Sequence, residues 1–216
     1  MNATGKYIDA AWMGKPLILC NQRSREWTHP YEYQGNGSML CNAGCGVFSV
    51  IHAAHFFEKD PCTPEELADF SCRFGGRGDD GTDRPALLAA MEAHGLAKDC
   101  GFSYRGDGLR NDLPVLARHL AEGNAALCNL RVGHIVALIG YREENGEEQV
   151  LAADPYSESI DSRVLPAVRE VIPGSEVISP IRNAENLVCG WQLSYSLYWC
   201  ALSTVRDFNL LHKIAP

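Results

Sequence analysis

Helix start and stop signals end at Gly123 in this chain, and two-residue alternation begins at Ala125. That division constrains the fold more than any single motif. Helices gathered ahead of a run of strands make an α+β domain, with N-terminal helices packed on a C-terminal antiparallel sheet, rather than an alternating α/β one. The first helix is predicted over residues 46–58, where few positions are polar, which implies burial on most sides. Thr63-Pro64-Glu65-Glu66 supplies a cap, a first-turn proline and the glutamate of a capping box, and predicts a helix ending near Gly75-Gly76. Asp83-Arg84-Pro85 opens a third, stopped at Gly95, and Asp112 to Glu122 gives a fourth, closed by Gly123. Strands follow at residues 125–132, 134–142 and 149–154, the last two joined across Asn145-Gly146. Late strands are predicted at Trp191–Ser203 and Val205–Ile214. Residues 157–186, with Pro166, Pro173 and Pro180, read as a long excursion containing a short helix. Residues 1–40 read as irregular apart from a strand-like Pro16–Cys20.

At 216 residues and 46% hydrophobic, the chain can bury a substantial core, and a single domain over residues 1–216 is the economical expectation. Nineteen Lys and Arg against 27 Asp and Glu leave a formal charge of −8, so no basic excess is available to neutralise phosphates, and nucleic acid is not an expected partner. Apolar runs such as Ile135-Val136-Ala137-Leu138-Ile139 fall far short of the roughly 20 residues a membrane span needs. Asp9 interrupts any signal-peptide core. The nine cysteines are odd in number and irregularly spaced, and several, Cys128 and Cys200 among them, fall at apolar positions. Reduced core thiols in a cytoplasmic protein are the expectation.

One cysteine stands apart. Gly44-Cys45-Gly46 places a thiol at the mouth of the apolar first helix. An ordinary thiol, with pKa near 8.5, is mostly protonated at neutral pH. Unpaired N–H groups and the positive dipole end of a helix's first turn lower that value, and so does a neighbouring imidazolium. Gly133-His134 opens one strand of the predicted hairpin and Asp154-Pro155 closes the other, so antiparallel pairing sets histidine and aspartate side by side. A cysteine at a helix start and a histidine at a strand start are each more often structural. Their conjunction with Asp154 in hairpin register points to a shared site, with Cys45 as nucleophile, His134 as base and Asp154 as its orienter.

These residues also carry a family resemblance. Trp27-Thr28-His29-Pro30-Tyr31, Gly44-Cys45-Gly46-Val47-Phe48-Ser49, Gly133-His134-Ile135-Val136-Ala137-Leu138-Ile139-Gly140-Tyr141 and Ala153-Asp154-Pro155-Tyr156 resemble the papain-like cysteine peptidases of the double-glycine leader (bacteriocin-processing) type. The resemblance covers about residues 27–156 and implies a papain-like fold, the Cys45–His134–Asp154 triad and a peptide or protein substrate. It departs where the family places an oxyanion-binding glutamine shortly before the cysteine, since that position is Met39. Gln34, beside a glycine-rich turn, and Asn42 are the amide candidates.

The reaction so implied is attack by the Cys45 thiolate on a peptide or isopeptide carbonyl, with a thioester acyl-enzyme and no metal or organic cofactor. An acyl or peptidyl transferase, an amidase and a non-catalytic peptide-binding relative are the alternatives. Other features have plainer readings. Cys41 is a bystander rather than half of a redox or metal pair with Cys45. His52 and His55 are buried or partner-facing rather than metal ligands. Phe74 to Asp83 lacks P-loop and calcium-loop spacing and reads as a mobile substrate-facing loop or a connector. The aromatics Trp191, Tyr195, Tyr198 and Trp199 are expected in the core and on the sheet face, with a substrate-groove wall as the lesser alternative.

Overall fold

In the computed structural model, the described residues are 5–108, 112–130, 134–157, 165–185 and 187–215. A hairpin of β1 (Tyr7–Trp12) and β2 (Lys15–Cys20) opens the chain. It corrects the expectation of an irregular N-terminus. Ile8 and Ala10 are buried while Tyr7, Asp9 and Ala11 face outward, a two-residue period that was present in the sequence. Its two-residue turn, Met13-Gly14, has positive φ at both positions, 51° and 77°, without the Asn-Gly that advertises such turns.

Five helices come next: α1 (Leu40–Ala43), α2 (Cys45–Phe56), α3 (Pro64–Arg73), α4 (Arg84–Ala93) and α5 (Leu96–Asp99). The tiny pair β3 (Arg77–Gly78) and β4 (Gly81–Thr82) lies between α3 and α4. The predicted capping box closes at α3, where Glu66 N donates to Thr63 Oγ1 at 3.2 Å and Thr63 N to Glu66 Oε2 at 2.8 Å. Asp83 caps α4 by accepting from Ala86 N at 3.1 Å. Each such cap contributes about 1 kcal/mol.

After β5 (Phe102–Ser103) and α6 (Leu113–Ala121) the chain is mostly strand: β6 (Ala125–Leu130), β7 (Ile135–Glu144), β8 (Glu147–Ala153), β9 (Val168–Val171), β10 (Glu176–Arg182), β11 (Val188–Tyr195), β12 (Leu197–Ala201) and β13 (Val205–Lys213). Six of them join β5 in one seven-stranded antiparallel sheet in the order β5-β13-β6-β7-β8-β12-β9, while β10 and β11 pair as a separate ribbon. Asn145 and Gly146, at φ 54° and 76°, make the expected hairpin turn between β7 and β8. The described part of the predicted excursion holds a 3₁₀ turn (Leu165–Ala167), β9 and β10, and the predicted strand Trp191–Ser203 is two strands divided at Ser196. Residues 158–164 of that excursion, like Gly133 of the Gly-His pair, lie outside the described residues.

The sheet is covered on both faces. Ala125, Leu127, Ala137, Ile139, Leu151 and Ala153 join the core that contains α2. The alternate residues Ala126, Cys128, Val136, Leu138, Val150 and Ala152 pack with Leu116, Ala117 and Leu120 of α6. The helices therefore pack on both faces of the sheet, with α6 on the face opposite α2. Nine of the twelve residues of α2 are buried, because sheet, β1–β2 hairpin and α3 surround it.

His52, wholly buried on α2, is structural. Its Nε2 accepts from Cys20 N at 2.7 Å and its Nδ1 donates to Ala153 O at 3.2 Å, so the ring is neutral and joins β2 to the end of β8. Burial pushes its pKa down from 6.5 to about 4. A depressed histidine contributes stability that is present above the unfolded value and lost as pH falls through the folded one. Urea midpoints should therefore drop between pH 6.5 and 4, with a loss approaching about 3 kcal/mol. A His52→Gln variant, less stable at pH 7, should show a flatter decline over the same interval.

Candidate active site

Cys45, Ser49 and His52 follow one another at helical spacing along a single face of α2, and the latter two fasten that face to the sheet. Ser49 Oγ is buried and lies 2.7 Å from Cys45 O and 3.1 Å from Ile135 O at the start of β7. His52 donates to Ala153 O at the end of β8. His134 immediately precedes Ile135 and Asp154 immediately follows Ala153. Two side-chain anchors thus bring the first residue of α2 against the rim where the hairpin strands begin and end.

At that rim, His134 Nε2 lies 2.6 Å from Asp154 Oδ1, and the Cys45 thiol is close enough to His134 for the imidazole to act on it. With Nε2 on the carboxylate, Nδ1 is the ring nitrogen left to face sulfur. Cys45 is half-buried, His134 is 12% exposed and Asp154 is fully buried. Asp154 accepts from three donors, because Tyr156 N reaches Oδ1 at 2.8 Å and the Tyr198 hydroxyl reaches Oδ2 at 2.9 Å. Its own N–H donates to Ser196 O at 2.8 Å. The carboxylate is therefore fixed in orientation by groups on β12 and on the turn after β8.

Electrostatics favour the ion pair. Burial pushes the Cys45 thiol up, but the hydrogen bond and charge of His134, then the N–H groups of Ile135 and Gly46, outweigh it and hold the thiol below its ordinary value. Burial pulls His134 down, but the Asp154 charge and hydrogen bond, with the Cys45 bond behind them, hold the imidazole well above its ordinary range. Burial raises Cys20, Cys62, Cys100, Cys128 and Cys200 instead, because no cation near them outweighs it.

Gly46 is set by space. A Cβ there would lie 2.5 Å from Thr82 Cβ. Thr82 belongs to β4, so the Phe74–Asp83 segment contains a short ribbon: Arg77 donates to Tyr31 O at 3.0 Å and to Gly81 O at 2.9 Å, and ties the β3–β4 ribbon to the segment that precedes α1. Gly46→Ala is expected to lower stability by about 1–3 kcal/mol through overpacking, read as a fall in urea midpoint at unchanged slope.

The amide candidates separate in space. Gln34 is exposed in a turn, at φ 51°. Asn42, on α1, accepts from Cys41 Sγ at 3.4 Å and lines a cleft of about 570 Å³ together with Gln22, Cys41 and Tyr156; Gln34 is not among the described lining residues. Gln22 was missed by the sequence reading. It is 3% exposed, its N–H donates to Pro155 O at 2.8 Å, and its Nε2 donates to Cys41 O at 3.3 Å. Its Oε1 is buried with no partner among the described residues. Its one signal was position, as the second of two amides, Asn21 and Gln22, that follow the strand-like Pro16–Cys20. Tyr156 lines the cleft and its ring centre is 6.1 Å from that of His134, while Cys45 and His134 are not among the described lining residues.

The remaining candidates fall into place. All nine cysteines are free, so Cys41 and Cys45 form no disulfide. His55 Nδ1 donates to Ile18 O at 2.7 Å, away from His52. Among the described residues, no group of three or more His, Cys, Asp or Glu is arranged to hold a metal ion, and no helix is long and apolar enough to cross a membrane. Tyr198 and Trp199 are buried as expected, whereas Trp191 is 61% exposed.

The model of the Peptidase_C39 like family matches residues 26–169, two thirds of the chain. No curated protein and no solved structure matches.

Proposed function

The chain belongs to the Peptidase_C39 like family, and from that premise we propose that it is a single-domain, papain-like cysteine hydrolase acting on a peptide or isopeptide bond. The His134–Asp154 hydrogen bond, with the Cys45 thiol beside the same imidazole, carries the reading. Such a set supplies a nucleophile, a base and an orienter in reach of one another.

In the resting pair, the proton resides on His134 and the thiolate accepts from it. The sulfur attacks a carbonyl carbon in the cleft, and the electron pair moves to the carbonyl oxygen. His134 then gives its proton to the departing amine, which leaves a thioester on Cys45. Water, giving its proton to His134, attacks the thioester carbonyl; the C–S bond breaks, the carboxylic acid product leaves and the thiolate–imidazolium pair is restored. Asp154 keeps the ring oriented and stabilises its charge throughout. The backbone N–H at the start of α2 faces the developing oxyanion, and Gln22, held between Pro155 and Cys41, is the side-chain amide placed to assist it.

A peptidyl chloromethyl ketone tests the reading. One equivalent should add to the native protein at Cys45, with the adduct mass located by peptide mapping, and none should add to Cys45→Ala. Modification spread over Cys72 and Cys189, the exposed thiols, would refute it.

A further inference from the structure

Tyr198 stands outside residues 26–169, which the family model matches, yet its hydroxyl reaches the aspartate beside His134. Asp154 is fully buried, and its two carboxylate oxygens are served from different parts of the chain. Oδ1 lies 2.6 Å from His134 Nε2 and accepts from Tyr156 N at 2.8 Å. Among the described residues, Oδ2 accepts from the Tyr198 hydroxyl alone, at 2.9 Å.

The segment that carries Tyr198 is clasped in place. Ser196, at the break between β11 and β12, accepts at its carbonyl from Asp154 N at 2.8 Å, and its own N–H donates to Ser175 O at 2.8 Å. Ser175 Oγ donates to Ile172 O at 2.7 Å and accepts from Leu197 N at 3.1 Å, while Ile172 N donates to Leu197 O at 2.9 Å. Tyr198 then sits in β12 with Ala152 of β8 opposite on one side and Val171 of β9 on the other. It is wholly buried in the core that contains α6, where close packing leaves the ring little freedom to turn its hydroxyl away. Burial and the Asp154 charge push that hydroxyl well above its ordinary value, so it stays protonated and remains a donor.

We propose that Tyr198 is a positioning residue for the Cys45–His134–Asp154 site, whose hydroxyl holds the second carboxylate oxygen and keeps the aspartate ionised behind the imidazolium. The inference rests on the cysteine-hydrolase reading only for the use to which the ion pair is put. A carboxylate shut away from water depends on its hydrogen bonds to stay charged. With Oδ2 bare, Asp154 would bind a proton at higher pH, the imidazolium would lose its countercharge, and the thiol would keep its proton to higher pH. The other titratable groups around Asp154 supply no substitute. His52 of α2, with a pKa of about 4, is neutral, and burial keeps Cys128 of β6 and Cys200 of β12 protonated.

The test is the pH dependence of iodoacetamide alkylation at Cys45 in the full chain. Tyr198→Phe keeps the ring and removes the donor, and should move the onset of reaction upward by about 0.5–1 pH unit while the rate at pH 9 is unchanged. Asp154→Asn should raise the onset further, and adding Tyr198→Phe to it should raise it no more, because a residue that acts through the carboxylate has nothing left to act on. A tyrosine that merely packs would give shifts that add. Difluorotyrosine in place of Tyr198, a stronger donor of nearly the same shape, covers the case in which Tyr198→Phe does not fold, and should move the onset downward. An unshifted onset in folded Tyr198→Phe protein, an additive shift in the double variant, or an onset that difluorotyrosine fails to lower would each overturn the role. The hydrolase reading is scored separately: a Tyr198-dependent onset in a protein that a peptidyl chloromethyl ketone does not label at Cys45 would count against that reading and leave the positioning role standing.

Discussion

Cys45→Ala is expected to lower kcat/KM for a cleavable peptide by roughly 10⁴-fold or more, because loss of one member of a nucleophile–base pair removes the covalent route altogether. The fold should be nearly indifferent. Cys45 is half-buried at the first position of α2, and the contacts that hold that helix belong to Ser49, His52 and the apolar residues behind them. Its unfolding free energy should therefore change by no more than about 1 kcal/mol. Cys45→Ser should be almost as inactive, since the ordinary serine hydroxyl is far less acidic than a thiol and the His134–Asp154 pair is arranged to stabilise an ion pair with sulfur. Activity is read by separation of peptide products, and stability by urea unfolding of the same preparations.

Asp154→Ala is expected to reduce both properties. Removing the carboxylate strips His134 of the charge and bond that raise its pKa, and frees its ring to turn from sulfur, so kcat should fall by roughly 10²–10⁴-fold. The same change leaves the buried Tyr198 hydroxyl and the Tyr156 N–H without their acceptor, which should cost about 2–4 kcal/mol of stability. Asp154→Asn separates the two effects. An amide oxygen still accepts from His134 Nε2, and the Tyr198 hydroxyl can turn to accept from the amide nitrogen, so stability should stay closer to that of the unaltered chain. The countercharge for the imidazolium is nevertheless lost, and thiolate formation should move to higher pH. Equal stability losses for Ala and Asn would show that the charge, and not the hydrogen bonds, is what the fold uses at this position.

Much of this arrangement was legible in the residues. The helix starts at Thr63 and Asp83, the hairpin turn at Asn145-Gly146 and the adjacency of His134 to Asp154 all follow from local rules, because caps and tight turns are decided by neighbouring residues. The β1–β2 hairpin was overlooked because Met13 occupies a positive-φ turn position where asparagine or aspartate would have announced it. The division of the helices between two sheet faces was not legible: alternation in β6, β7 and β8 is apolar on both sides, so nothing in those strands says which face meets α2 and which meets α6. Gln22 escaped notice for a related reason. Its proximity to Cys41 is made by the return of the chain at Pro155, a contact between residues far apart in sequence. Trp191 was grouped with Tyr195, Tyr198 and Trp199 as core or sheet face, and its exposure follows from β10–β11 leaving the main sheet.

The rate of iodoacetamide alkylation at each cysteine, followed by mass spectrometry of the native protein from pH 5 to pH 9, tests the proposed activation of Cys45 most directly. Cys72 and Cys189 are the exposed reference thiols. A thiolate held by imidazolium, backbone N–H groups and a buried carboxylate should make Cys45 react well below the pH at which Cys72 begins to react, and His134→Ala should move that onset upward to join it. Alkylation of Cys45 that rises in step with Cys72, and that His134→Ala leaves unchanged, would contradict the account.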